Sequence, residues 1–142
     1  MTRSELQVFE ARRDHLPLAA AFVEAFCAAQ GVAQADALRL TLITEELFTN
    51  TIVHGHGGDR QSPVRIEVAI GITRIELRYE DCAPPFNPLQ YLQENHPDLD
   101  ANVDARGVGG LGLPLVAQMA EQFDYAHVDG FNSLTLVLKR GG

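Results

Sequence analysis

At 142 residues the chain has the length of one ordinary domain, enough to bury about 68–70% of the surface that its unfolded form exposes. Hydrophobic residues at 46% and charged residues at 21%, with no apolar run long enough for a bilayer, exclude disordered and membrane-spanning classes. The 11 Lys and Arg against 19 Asp and Glu give a net charge of -8, the wrong sign for an affinity built on neutralising nucleic-acid phosphates.

In chain order, Met1 to Glu5 has no basic region feeding an apolar core and a small-residue cleavage site, so a cytoplasmic protein is expected. Ser4 to Glu10 is compatible with an edge strand. From about Asp14 to Gln30, Leu18, Phe22, Phe26 and Ala29 recur at helical steps, and Gly31 follows as a stop. A second helix is predicted from about Asp36 to His54, with Leu40, Ile43, Leu47 and Thr51 inward, ended by Gly55, Gly57 and Gly58. The period then changes to two: Val64, Ile66, Val68 and Ile70 alternate with polar or small residues, as do Ile75, Leu77 and Tyr79 after a turn around Gly71. An antiparallel hairpin with one buried face is expected. Asp81 to Gly112 is rich in Pro, Asn, Asp and Gly and offers one weak helical turn around Leu89 to Leu92; so long an irregular stretch in a compact domain is usually functional, often a lid. Leu113 to Phe123 is predicted as a third helix, and Tyr125 to Val128 and Ser133 to Lys139 as closing strands, with Leu134, Leu136 and Leu138 on one face. Cys27 and Cys82 lie far apart, with no CxxC and no clustered His, which supports neither a disulfide framework nor a zinc site. The order of elements fits an α+β sandwich better than a doubly wound parallel sheet, with one domain over residues 1–142.

Three stretches carry possible chemistry. On the second helix Glu46, Asn50 and His54 recur every fourth residue, so they form one polar line beside the apolar stripe. A carboxylate and an amide oxygen one turn apart can face a hydrated magnesium ion, although the same pattern also suits a solvated helix face. Directly after a strand, Asp81-Cys82-Ala83-Pro84-Pro85-Phe86-Asn87-Pro88 begins with a carboxylate. Ionised, it accepts only, so it can take a hydrogen bond from the exocyclic amine of adenine where guanine presents a carbonyl; a plain turn after a hairpin reads the same way. Before the third helix, Arg106-Gly107-Val108-Gly109-Gly110-Leu111-Gly112-Leu113 combines glycines with a helix N-terminus. That combination suits a polyphosphate, or else a flexible loop; its spacing is neither a Walker A motif nor the dinucleotide fingerprint.

In this order the stretches resemble the N box and the two glycine boxes of the GHKL ATPase superfamily, over about residues 38–120. E-x-x-x-N-x-x-x-H, D-x-A-x-x-F-N-P and G-L-G-L-P-L-V look most like the anti-sigma factor serine/threonine kinases of bacterial partner switching. The resemblance implies a Bergerat-type two-layer α/β sandwich: a mixed, mostly antiparallel sheet with helices on one face, ATP between the N-box helix and a lid at about 87–109. It implies Glu46 as the general base toward a serine or threonine hydroxyl, with Asn50 binding magnesium and Asp81 reading adenine. His54, Ala83 and Phe86 would lie beside the nucleotide, and Gly109, Gly110, Leu111, Gly112 and Leu113 along its phosphates. Ala83 stands where the first glycine box usually has Gly, which removes an inexpensive positive φ and points a methyl group near the base. Arg106 is displaced toward the lid, which holds Glu94, Asp98, Asp100 and Asp104 and no other cation; it is expected to swing in on lid closure. The implied cofactors are ATP and Mg2+. The implied partners are a STAS-domain anti-sigma factor antagonist that is phosphorylated, a sigma factor or similar regulator held inactive, and a second copy in a homodimer. Ala83 and the acidic lid also motivate an alternative, an ATP-binding module that sequesters partners without efficient phosphotransfer.

Overall fold

The computed structural model describes residues 2–94 and 112–141. Five strands form one sheet in the order β1-β2-β3-β5-β4: β1 (Arg3–Ala11), β2 (Arg60–Ile70), β3 (Arg74–Asp81), β4 (Gln122–Val128) and β5 (Phe131–Lys139). All four ladders are antiparallel, so nothing in this sheet is mixed. The helices are α1 (Leu16–Ala29), α2 (Gln34–Asn50), α3 (Pro88–Glu94) and α4 (Gly112–Met119).

Period-two patterning decides which face is covered. Val64, Ile66, Val68 and Ile70 of β2 lie in register with Asp81, Tyr79, Leu77 and Ile75 of β3, and these with Asn132, Leu134, Leu136 and Leu138 of β5. All of them are buried, whereas Arg65, Glu67, Arg78 and Glu80 on the opposite face form ion pairs toward solvent. Removing an aliphatic side chain of this kind from water stabilises by about 1.5–3 kcal/mol, and the core repeats that gain across three strands. Leu40, Ile43, Leu47 and Phe48 of α2 and Val23, Phe26 and Cys27 of α1 complete the apolar layer.

Glycine sets the stops. Gly31 ends α1 at φ +71 and Gly57 ends the helix after α2 at φ +73, a left-handed conformation that a side chain resists. Asp129 and Gly130, both at positive φ, join β4 to β5 across the pair Val128 and Phe131, the primed turn that a Asp-Gly dipeptide favours. Near the end of β5 the chain is fastened to α2: buried Asp36 accepts from the Gly141 N–H at 2.9 Å and from Arg39, whose guanidinium also reaches the Lys139 carbonyl.

Three expectations change. In α1 the buried stripe is Ala19, Val23, Phe26 and Cys27, while Leu18 is exposed, because apolar side chains occupy both sides of an alanine-rich helix and blur its phase. The helix predicted to reach Phe123 stops at Met119, and β4 takes over at Gln122. The helix predicted through His54 is α-helical only to Asn50; Thr51–His56 forms a π-helical turn. Among the described residues no helix is long and apolar enough to cross a membrane.

Candidate functional site

Helix α2 carries Glu46 and Asn50 to one end of the sheet. Its inward threonines are tolerated in an apolar layer because each hydroxyl can return to the carbonyl four residues earlier, as Thr41 does to Ala37 and Thr44 to Leu40 at 2.8 Å. Thr51, the next such residue, has a second function. Its hydroxyl donates to Asp81 Oδ2 at 2.6 Å and lies 2.6 Å from the Tyr79 hydroxyl, so a relay runs from Tyr79 through Thr51 onto the carboxylate. Burial, reinforced by the Asp81 charge, raises the Tyr79 pKa well above 10 and keeps that hydroxyl a donor.

Asp81 closes β3 at only 8% exposure, so its oxygens are met by protein donors rather than water. Oδ2 accepts from Thr51, and Oδ1 from Asn132 Nδ2 at 2.9 Å and from the Ala83 N–H at 3.2 Å. A carboxylate has about four acceptor positions, so three donors leave one for a ligand. Next to it the Cys82 thiol is held protonated, its pKa raised by burial first and the Asp81 charge second.

The separate stretches of sequence meet here. A Cβ added at Gly55, in the π-helical turn, would lie 2.8 Å from the Ala83 methyl, so the end of the α2 arm and the segment after β3 are in direct apposition. Ala83 has no positive φ, since Asp129 is the one non-glycine residue with that conformation among the described residues; the methyl is accommodated against Gly55 instead. One turn earlier, near the same C-terminal end of α2, a Cβ added at Gly112 would collide with the Glu46 carboxylate, whose Cδ would lie 3.2 Å away. The Glu46 carboxylate therefore abuts the first residue of α4, the end of a helix where unpaired N–H groups favour anions.

The site residues predicted from sequence divide accordingly. Glu46, Asn50, Asp81, Ala83, Gly112 and Leu113 come together around the ends of α2, β3 and α4. Phe86 follows, half exposed, with its ring 5.6 Å from that of Tyr91. His54 is exposed, because the wider π turn offsets it from the line of Glu46 and Asn50. Arg106, Gly109, Gly110, Leu111 and residues 95–109 of the lid expected at about 87–109 lie outside the described residues, while Pro88–Glu94 of that stretch is α3. The Asn50 amide nitrogen is buried without a hydrogen-bond partner. Because the two ends of an amide exchange by a half-turn, that polar end fits an oxygen presented to a cation, and Magnesium needs few protein oxygens when phosphates and water supply the rest.

Four residues of the site escaped the sequence reading: Thr51 as a carboxylate partner, Tyr79, His56 and Asn132. Both ring nitrogens of His56 are buried without hydrogen-bond partners. Its pKa is lowered from 6.5 by burial and then by Arg60, against the pull of Asp81. Asn132 had a visible signal, a polar residue in phase with Leu134, Leu136 and Leu138 on the buried face of β5.

The family model of the histidine kinase-like ATPase domain matches residues 9–138. A serine-protein kinase, RsbW, of Listeria monocytogenes is 25% identical over 92 residues, which cover 64% of this chain and 59% of that protein. Among solved structures, a chain of the SiaB-SiaC complex from Pseudomonas aeruginosa superposes with a TM-score of 0.65 at 12% identity, over 93% of this chain and 88% of the other. The catalytic domain of histidine kinase ThkA superposes at 0.54 and 13% identity, over 96% and 97%. At these identities the two structures establish the shared fold.

Proposed function

This chain belongs to the histidine kinase-like ATPase domain family, and from that premise we propose that it is an ATP-dependent serine/threonine protein kinase of a partner-switching system. Its substrate would be a STAS-domain anti-sigma factor antagonist, and its second partner a sigma factor or similar regulator that it sequesters. It would act in the cytoplasm as a homodimer, without direct contact to nucleic acid or membrane. The observation that carries the reading is the convergence of three distant motifs: Thr51 on Asp81, Gly55 on Ala83, and Glu46 on Gly112. The likeness to RsbW, itself named a serine-protein kinase, supports the choice of reaction.

In this reading the single acceptor position left on Asp81 takes the adenine 6-amine, which discriminates against guanine. Asn50 would hold Mg2+ together with the nucleotide phosphates, and the ion would supply charge neutralisation there. Gly109 to Leu113 would line the phosphates, and Arg106 would be the cation for the terminal one. Glu46 accepts the proton of the serine or threonine hydroxyl as its oxygen forms a bond to the γ-phosphorus and the bond to the β,γ-bridging oxygen breaks, leaving ADP. Phosphoryl transfer asks mainly for positioning and charge neutralisation, so one oriented carboxylate suffices on the protein side.

Incubation with γ-labelled ATP, magnesium and a STAS-domain antagonist tests this. Label should move to the antagonist, and Glu46→Gln should slow transfer by about 10²-fold or more with ADP affinity retained. A wild-type protein that binds ADP yet transfers nothing would leave the module that sequesters without catalysis.

A further inference from the structure

Asn132 is 7% exposed and uses every polar atom of its side chain. Its nitrogen faces acceptors only: Asp81 Oδ1 at 2.9 Å, the Ala83 carbonyl at 3.0 Å and the Pro84 carbonyl at 3.2 Å. Its oxygen faces donors only, the Phe86 N–H at 3.1 Å and the Tyr125 hydroxyl at 2.7 Å. The amide orientation is therefore set by its surroundings. Five partners around one buried side chain exceed what anchoring a strand requires, since the β3–β5 ladder already pairs Asp81 with Asn132 through the backbone.

The partners lie in a definite order along the chain. Asp81 is the carboxylate with one open acceptor position, Ala83 and Pro84 lead away from it, and Phe86 ends the segment. The next residue, Asn87, caps α3: its side-chain oxygen accepts from the N–H groups of Leu89 at 3.0 Å and Gln90 at 3.2 Å. One amide thus spans from the Asp81 carboxylate to Phe86, the residue before the Asn87 cap of α3. Tyr125 holds that amide from β4, on the far side of β5.

We propose that Asn132 is a positioning residue with two separable roles: it aims the Asp81 carboxylate at the base, and it clasps Ala83 to Phe86 so that base occupancy is felt at the root of α3. This rests on the nucleotide reading given above. Without the Asn132 donor, Asp81 Oδ1 keeps only the Ala83 N–H and the carboxylate is free to turn; without the acceptor, the Phe86 N–H loses its partner.

ADP and GDP dissociation constants and amide hydrogen exchange, measured on the whole chain, test both roles. Hydrogen bonds to a charged group are strong enough that Asn132→Ala should weaken ADP by about tenfold or more while GDP changes little. It should also abolish nucleotide-dependent protection of residues 86–92. Asn132→Thr keeps one hydroxyl donor for Asp81 but cannot span to Phe86, so it should retain the ADP preference and lose the protection. A merely structural asparagine would lower thermal stability and leave the ADP-to-GDP ratio and the protection pattern alone; either folded variant behaving so overturns the proposal. Should Asn132→Ala fail to fold, the protection measured in Asn132→Thr decides in the same way, loss supporting the clasp and retention refuting it. A wild-type chain that binds no ADP overturns the nucleotide reading itself, whereas normal ADP binding in the wild type with unchanged variants overturns the role of Asn132 alone.

Discussion

His56 shows how one side chain near the site ties stability to pH. Its pKa lies below 6.5 in the folded protein because burial and Arg60 oppose the charged form more strongly than Asp81 favours it. Between the folded and unfolded values the unfolded chain binds more protons, so stability rises with pH there. The contribution is complete above the unfolded value and is lost as pH falls below about 6.5 toward the folded one. His56→Gln has no such titration. Its melting temperature should fall less than that of the wild type between about pH 7.5 and 5.5, and parallel curves for the two proteins would show that the imidazole is not responsible. At this scale the sequence was partly readable. Glu46 and Asn50 stood out through spacing, Asp81 through its place after a strand and Ala83 through the family resemblance, whereas Thr51, Tyr79 and Asn132 are ordinary residues of a helix and two strands. Their partners depend on registers set between segments 28 to 51 positions apart, which no local pattern contains.

Between elements, the contact that matters most is the one of Gly55 with Ala83, where the π-helical turn presses on the segment after β3. The methyl that the first glycine box usually lacks is matched by a missing one across the gap. Gly55→Ala should therefore destabilise by about 1–3 kcal/mol through overpacking, and adding Ala83→Gly should recover much of that loss. Denaturant unfolding of the four proteins in the cycle checks it; a coupling below about 0.5 kcal/mol would mean that the two positions act independently. Element types were legible because β2, β3 and β5 alternate cleanly and α2 has a single apolar stripe. The phase of α1 was not, since alanine on every side gives a helix no marked inner face. The π turn was hidden too: nothing in Thr51–His56 distinguishes it from a continuing α-helix until the tertiary contacts with Asp81 and Ala83 are in place.

Across the described residues, the helices cover one face of the sheet and the candidate site lies at one end of it, where α2, β3, β5 and α4 converge. A ligand held there touches elements far apart in the chain and should stabilise all of them together. At about 100 times its dissociation constant, ATP or ADP should add about 2.7 kcal/mol, read as a rise in the melting temperature that grows with nucleotide concentration. GTP at the same concentration should give a smaller rise, and no shift with any adenine nucleotide would contradict nucleotide binding. The order of the strands has a further consequence, in time rather than space. Asp81 receives its Asn132 hydrogen bond from a strand made 51 residues later, and α2 is fastened by Gly141, 105 residues after Asp36. Long-range pairings of this kind form late, after the chain has paid the entropy of closing the loops between them. During synthesis, then, α1, α2 and the β2–β3 hairpin can assemble while the Asp81 carboxylate still lacks its Asn132 donor. The hydrogen-bonded surroundings of Asp81 are complete only once β5 has been made, so the proposed nucleotide seat would be offered by finished molecules alone.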